Sequence, residues 1–302
     1  MRRFASAFRS SALSTRWAPT ILLLVLSLAA RAAQAQSLGW EGPTGVFVTP
    51  LAYTSASPAK GLGQPSVAFH FLAAGPVIGE YSTVSITEGF AKRFEVGYTG
   101  EIHATGSTAG LSPLWNGGFS IVHGKATLVP ENAFKTKWVP AIAVGGIVRV
   151  NDNNVGDGSA GQGTTNGDAY IVATKLVTQT KKVPLLLSAG LRGTDASLWG
   201  LGGNAPAFTG RAFGALGFVF TGPGKSTIIL ASEVAQQPRQ INVGGTPSFD
   251  IPTSEVYAVR VVPLPKRKLN LDFGVLQAAG RIAPGVDLQA RARVAFALSY
   301  GF

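Results

Sequence analysis

Residues able to do chemistry are sparse in this chain, and they alternate with apolar ones. Arg291 and Arg293 stand two apart in VDLQARARVAFALSYGF, residues 286–302, where Leu288, Ala290, Ala292, Val294, Phe296, Leu298, Tyr300 and Phe302 take the other positions. Successive side chains of an extended chain point to opposite sides, so period two sorts charge and apolar bulk onto separate faces. With one face of each such stretch turned to lipid, Arg93, Lys125, Arg149, Lys175, Arg192, Arg211, Arg260, Arg291 and Arg293 point inward. Glu95, Glu101, Glu233 and Asp272 join them, giving nine cations against four anions. A low-dielectric wall around such a lumen focuses a positive potential and favours small anionic solutes. The alternative is that these charges pair and hydrogen-bond to fill a narrow interior.

Other chemistries find less support. His70, His103 and His123 all fall on inward faces, but their spacing shows no convergence of the three or so ligands that a metal requires. Gly224-Lys225-Ser226 imitates the end of a phosphate-binding loop, yet Val219 stands where the first glycine belongs and a strand follows. Asn151-Asp152-Asn153-Asn154, with Asp157 and Asp168, offers oxygen ligands at a spacing that misses the calcium-loop pattern, which favours a solvated loop. No Ser-His pair sits at a spacing suited to hydrolysis. We therefore expect no enzyme, no catalytic residues, no metal and no cofactor.

The elements that position the charges follow from the rest of the chain. Arg2, Arg3, Arg9 and Arg16 precede the apolar run 21–30, and Ala33-Gln34-Ala35 supplies small residues for processing. This is the pattern of a signal peptide over residues 1–35, cleaved after Ala35, because the run is too short to span a bilayer as a helix. The formal charge of +11 falls to +11 − 5 = +6 once the five arginines of 1–35 are gone, mildly basic and no argument for a nucleic-acid partner. There is no cysteine, hence no disulfide framework. High hydrophobicity without any long apolar run after residue 35 suits a membrane β-barrel, in which only every second residue faces lipid.

Residues 36–62 read as a separate segment rich in turn chemistry, Gly42-Pro43-Thr44-Gly45 and Ser55 to Gly61, that plugs the lumen or lies against the periplasmic rim. The barrel then occupies 63–302. Alternation predicts twelve strands, at 66–73, 81–88, 92–103, 117–129, 137–150, 168–178, 184–194, 210–221, 225–235, 254–264, 268–278 and 286–302. With the first strand running outward, the outer connections are 74–80, 104–116, 151–167, 195–209, 236–253 and 279–285. The inner ones are 89–91, 130–136, 179–183, 222–224 and 265–267, none longer than any outer loop. Phe94, Trp138, Phe218, Phe220, Tyr300 and Phe302 then band at the inner rim on the lipid side, with Tyr170 and Tyr257 at the outer one.

The terminal stretch, with Phe302 last, Tyr300 two before it and alternating apolar residues upstream, resembles the final strand of bacterial outer-membrane β-barrels. That resemblance implies an all-β, antiparallel up-and-down barrel in the outer membrane, with Tyr300 and Phe302 as the signal read by the barrel assembly machinery and outer-membrane lipid as a partner. Gly42 to Pro50, GPTGVFVTP, resembles the opening of some barrels associated with exopolysaccharide export. The whole chain is similar to an uncharacterised outer-membrane family, which adds location and fold and no activity. The expected function is a passive channel or substrate-selective pore for small solutes, anions favoured; the alternative is a non-conducting structural or partner-binding barrel.

Overall fold

The computed structural model describes residues 37–109, 112, 115, 117–151, 165–179, 183–239, 250–263, 268–278, 281–283, 286–287 and 291–302. The expected signal peptide lies outside the described residues, as do most of the loop 151–167 and its candidate calcium ligands Asp152, Asn153, Asn154 and Asp157.

Twelve antiparallel strands close into one barrel. They are β1 (Ser66–Gly75), β2 (Gly79–Phe90), β3 (Phe94–Ala104), β4 (Phe119–Val129), β5 (Ala141–Asn151), β6 (Thr165–Val177), β7 (Leu185–Ala196), β8 (Asn204–Thr221), β9 (Thr227–Ala235), β10 (Ser254–Val262), β11 (Leu269–Gln277) and β14 (Arg293–Gly301). Two short strands, β12 (Arg281–Ala283) and β13 (Val286–Asp287), pair as a hairpin in the last outer connection. Closure runs through β14, which pairs with β11 on one side and with β1 on the other, Ser66 opposite Gly301 and Phe71 opposite Phe296. The barrel sheet itself has no edge, as a lipid surround demands.

Burial alternates along the strands, as in β1, where fully buried and half-buried residues take turns. The outward set is apolar and exposed, including Val96, Ile102, Val122, Leu191, Phe273, Val294 and Leu298. The inward set mixes Thr, Ser, His and charged residues with an apolar cluster that includes Leu72, Tyr81, Phe119, Ile121, Ile147, Val172, Phe213 and Val256.

Three expectations need correction. The last strand begins at Arg293 instead of 286, because Val286–Asp287 pairs with Arg281–Ala283 in the small hairpin and the chain bends at 291–292. The rule that inner connections are never longer than outer ones fails: β1 and β2 extend until 76–78 suffices to join them, while the inner connection 130–140 is longer. Thirdly, β6 presents the opposite face. Asn166, Asp168, Tyr170, Val172, Thr174 and Leu176 are buried, while Ile171 is 47% exposed. Tyr170 therefore lies inside, at 6% exposure, and Lys175 lies on the outer face. The ring fits inward because Gly145 on β5 leaves room; a Cβ there would come within 2.4 Å of the Tyr170 ring.

Candidate functional site: a segment seated in the lumen

Eight strands enclose a space that side chains alone can fill, and sixteen leave an aqueous channel. Twelve leave an intermediate volume, and here a piece of the same chain occupies it. Residues 37–49 are all buried. They form nested turns, Gly39 N–H donating to Pro43 O at 2.8 Å, Trp40 N–H to Phe47 O at 2.7 Å and Val46 N–H to Thr49 O at 3.0 Å. Gly42 is needed at its turn for two reasons. Its φ of +100° is costly for any residue with a Cβ, and such an atom would meet Thr99 Oγ1 at 2.6 Å and His123 Nε2 at 2.8 Å.

The segment is bound to the wall through the charges that the sequence places inward. Glu95 (β3) accepts from Thr44 N–H at 2.9 Å, Thr44 Oγ1 at 2.7 Å and Ser55 N–H at 2.8 Å, and pairs with Lys125 (β4) at 2.8 Å. Lys125 in turn donates to Thr44 O at 2.8 Å. Glu233 (β9) gathers three successive backbone donors, Phe47 N–H at 2.6 Å, Val48 N–H at 3.1 Å and Thr49 N–H at 2.6 Å, with the Thr49 hydroxyl at 2.6 Å. Such a run of amides is an anion-binding nest, here filled by a carboxylate of the barrel. Arg260 (β10) holds Asp272 (β11) through two bonds of 2.7 and 3.0 Å and reaches the carbonyl of Val46.

Arg149 (β5), with no exposed surface, is the hub of the outer half. It donates to Glu41 of the segment, to Asp168 at 2.7 Å and to Asn166 at 3.4 Å. Arg192 (β7) approaches the same Asp168 at 3.6 Å and lies 5.9 Å from the centre of the Trp199 ring. Trp40 donates its indole N–H to Glu101 at 2.9 Å. At the lower end, Tyr53 donates to Glu131 at 3.1 Å; burial, and then the neighbouring carboxylate, push the phenol pKa up, so it remains a donor. From there the chain leaves the lumen and joins the barrel base, Leu62 bridging to Phe90 and Phe302 N–H donating to Pro65 O at 3.2 Å.

Not every inward assignment falls in this network. Arg93 is exposed in the turn before β3, and Arg291 is exposed in the bend before β14. Lys175 pairs from the outer face with Glu131 at 2.7 Å. Arg211 and Arg293 face the lumen and are half-buried. From sequence, two anions are not placed in the lumen: Glu41, which is not singled out, and Asp168, which is weighed only as an oxygen ligand of the loop. Inverting β6 moves Asp168 onto the wall, so the described wall carries 9 − 3 = 6 cations and 4 + 1 = 5 anions.

The histidines stay apart in function. His70 meets Leu38 O at 3.2 Å, His123 meets Thr87 Oγ1 at 3.0 Å, and His103 stacks on Tyr81 with centroids 4.1 Å apart. Among the described residues no group of three His, Asp or Glu side chains could hold a metal.

Outside, Phe90, Phe94, Phe134, Trp138, Phe218, Phe220, Tyr300 and Phe302 are exposed at the end where the short turns lie, and Tyr257 is exposed nearer the other. A closed antiparallel barrel, apolar on its outer surface, edged by aromatics and polar within, is built for lipid. The protein is a twelve-stranded transmembrane β-barrel. The chain matches no protein-family model and no curated protein sequence. Solved structures resemble it, among them two porins. One, titled KdgM porin, shares 10% identity over 78% of this chain and 99% of its own, with a TM-score of 0.44. The other, NanC porin structure in rhombohedral crystal form, shares 9% over 79% of this chain and 98% of its own, also at 0.44.

Proposed function

We propose that the protein is an outer-membrane channel for small solutes, kept closed by residues 37–52. The observation that carries this reading is the polarity of the wall behind the segment. Thr83, Thr87, Glu95, Lys125, Thr127, Thr174 and Glu233 are buried, and each bonds the segment, several of them to its backbone. A barrel with a purely structural role has no need of a wall that becomes a hydrated lining once a single stretch withdraws. With the wall at six cations against five anions, any preference for small anionic solutes is slight and rests on Arg211 and Arg293 at the outer half.

Planar-bilayer recording of the whole protein tests the proposal, beside a variant lacking residues 37–52. The full chain is expected to be silent or to open briefly, and the deletion to give sustained single-channel steps with a reversal potential near zero. A folded deletion variant without steps would leave the second reading, a non-conducting structural barrel, which the apolar cluster around Trp40 and Phe47 favours.

A further inference from the structure

The lumen accounts for most of the buried charge, but it leaves a set of cations unused at the turn end of the barrel. There, Lys92 and Arg93 occupy the turn between β2 and β3, Lys135 and Lys137 the connection between β4 and β5, Lys225 the turn between β8 and β9, and Lys268 the position before β11. All but the half-buried Lys268 are exposed. The acids at this end are few. Glu131 is engaged by Lys175 and Tyr53, and Glu88 lies half-buried on β2.

These cations are interleaved with exposed aromatic rings, and the pairing repeats from turn to turn. Phe90 and Phe94 flank Lys92 and Arg93; Phe134 and Trp138, exposed by 84% and 70%, flank Lys135 and Lys137; at the turn after β8 the spacing is wider, with Lys225 five residues beyond Phe220. Lys268 donates to the main-chain oxygen of Phe302, whose ring is exposed. Aromatic rings on the outside of a membrane barrel mark the boundary between hydrocarbon and headgroups. A lysine one or two residues from such a ring is held at the depth of the phosphates, with its ammonium free to reach sideways. A soluble acidic partner would need charges that face down into the periplasm and would have no use for the adjoining rings.

We infer that the turn end of the barrel carries a collar that recruits anionic phospholipid headgroups from the surrounding leaflet, each aromatic-cation unit taking an acyl chain against the ring and a phosphate against the lysine or arginine. The collar would set the depth of the barrel in the bilayer and enrich anionic lipid around it. It is independent of whether the lumen conducts.

Trp138 provides the readout. Among the described tryptophans, Trp40, Trp115 and Trp199 are buried, so brominated lipids in contact with the barrel quench Trp138 selectively. The intact protein is reconstituted in phosphatidylcholine vesicles containing either brominated phosphatidylglycerol or brominated phosphatidylcholine at the same fraction. At low salt phosphatidylglycerol is expected to quench on the order of fivefold more effectively at equal fraction, since each cation near an anionic surface is worth about a factor of five. Half-molar salt should remove most of the difference. The double variant Lys135→Gln with Lys137→Gln should bring the two lipids level, while Lys135→Arg with Lys137→Arg should keep the preference; heat-modifiable mobility on gels confirms that each has folded. Equal quenching by the two lipids in the unmodified protein overturns the inference. So does a preference that survives the glutamine substitutions, or one abolished by soluble poly-glutamate, which would point to an acidic polymer as the partner.

Discussion

Lys125 and Lys137 are the same residue type, one on β4 and the other in the connection just after it, and the barrel uses them in opposite ways. Lys125 is buried in the lumen, fixed between Glu95 at 2.8 Å and the Thr44 carbonyl at 2.8 Å. Lys137 is exposed in the connection that follows, beside Trp138. A buried ammonium must be paired in place, because desolvation costs several kcal/mol for each ion, whereas an exposed one keeps its water and acts at a distance through its field. Inside, then, charge specifies which segment fits the lumen. At the rim it specifies the surroundings of the barrel.

The largest test of this contrast is at Arg149. Replacing it with methionine leaves Glu41 and Asp168 facing each other across the outer half of the lumen, with Arg192 as a more distant counter-ion at 3.6 Å from Asp168. Arg149→Met should cost about 3–5 kcal/mol, the range for a buried network that loses one partner. Urea unfolding from lipid vesicles, followed by tryptophan fluorescence, measures it. Adding Glu41→Leu should recover a large part of the loss, since Asp168 then keeps Arg192; no recovery would mean that Arg149 stabilises by packing and not by charge.

Lys125→Met comes next and should cost less than Arg149→Met. Glu95 loses its cation but keeps donors from Thr44 and Ser55, so about 2–3 kcal/mol is expected from the same unfolding measurement. A cost as small as that of a surface change would contradict the distinction between lumen and rim.

How much of this arrangement was legible beforehand differs between the wall and its contents. Alternation places Val294, Phe296, Leu298 and Tyr300 on the lipid side of β14 because burial on one face imposes a strict period. Twelve strands follow from the same signal. On β6 the signal fails: Ile171 and Ala173 on one face and Tyr170 and Val172 on the other are similarly apolar, so hydrophobicity does not choose between them. The deciding contacts, Gly145 beneath Tyr170 and Arg149 on Asp168, come from β5. The turn chemistry of Gly42 to Gly45 announces a compact segment, but its partners on the wall are 32 to 235 residues away, and nothing local encodes the meeting of Phe47, Val48 and Thr49 with Glu233.

Glu233→Gln separates the segment from the wall more gently. The amide keeps one acceptor for the three backbone donors and loses the charge that makes each bond strong, so about 1.5–3 kcal/mol is expected. Because the bonds lost belong to the segment and not to the strand ladder, the loss should appear first as faster hydrogen exchange at the Phe47, Val48 and Thr49 amides and as more frequent openings in planar bilayers. Strand amides should keep their protection. Faster exchange throughout β9 instead would make Glu233 a support of the barrel wall and not a latch.

The smallest effect is expected at Lys137. Lys137→Met applies the same substitution as in the lumen to an exposed side chain with no buried partner to abandon, and its effect on urea unfolding should stay within about 0.5 kcal/mol. Its consequence belongs to the lipid, as a weaker preference of Trp138 for an anionic headgroup. If the two methionine variants cost the same, burial is not what distinguishes the lysines. If Lys137→Met alone changes conductance, the rim and the lumen are coupled through the connection 130–140, where Glu131 already links Lys175 to Tyr53 at the foot of the segment.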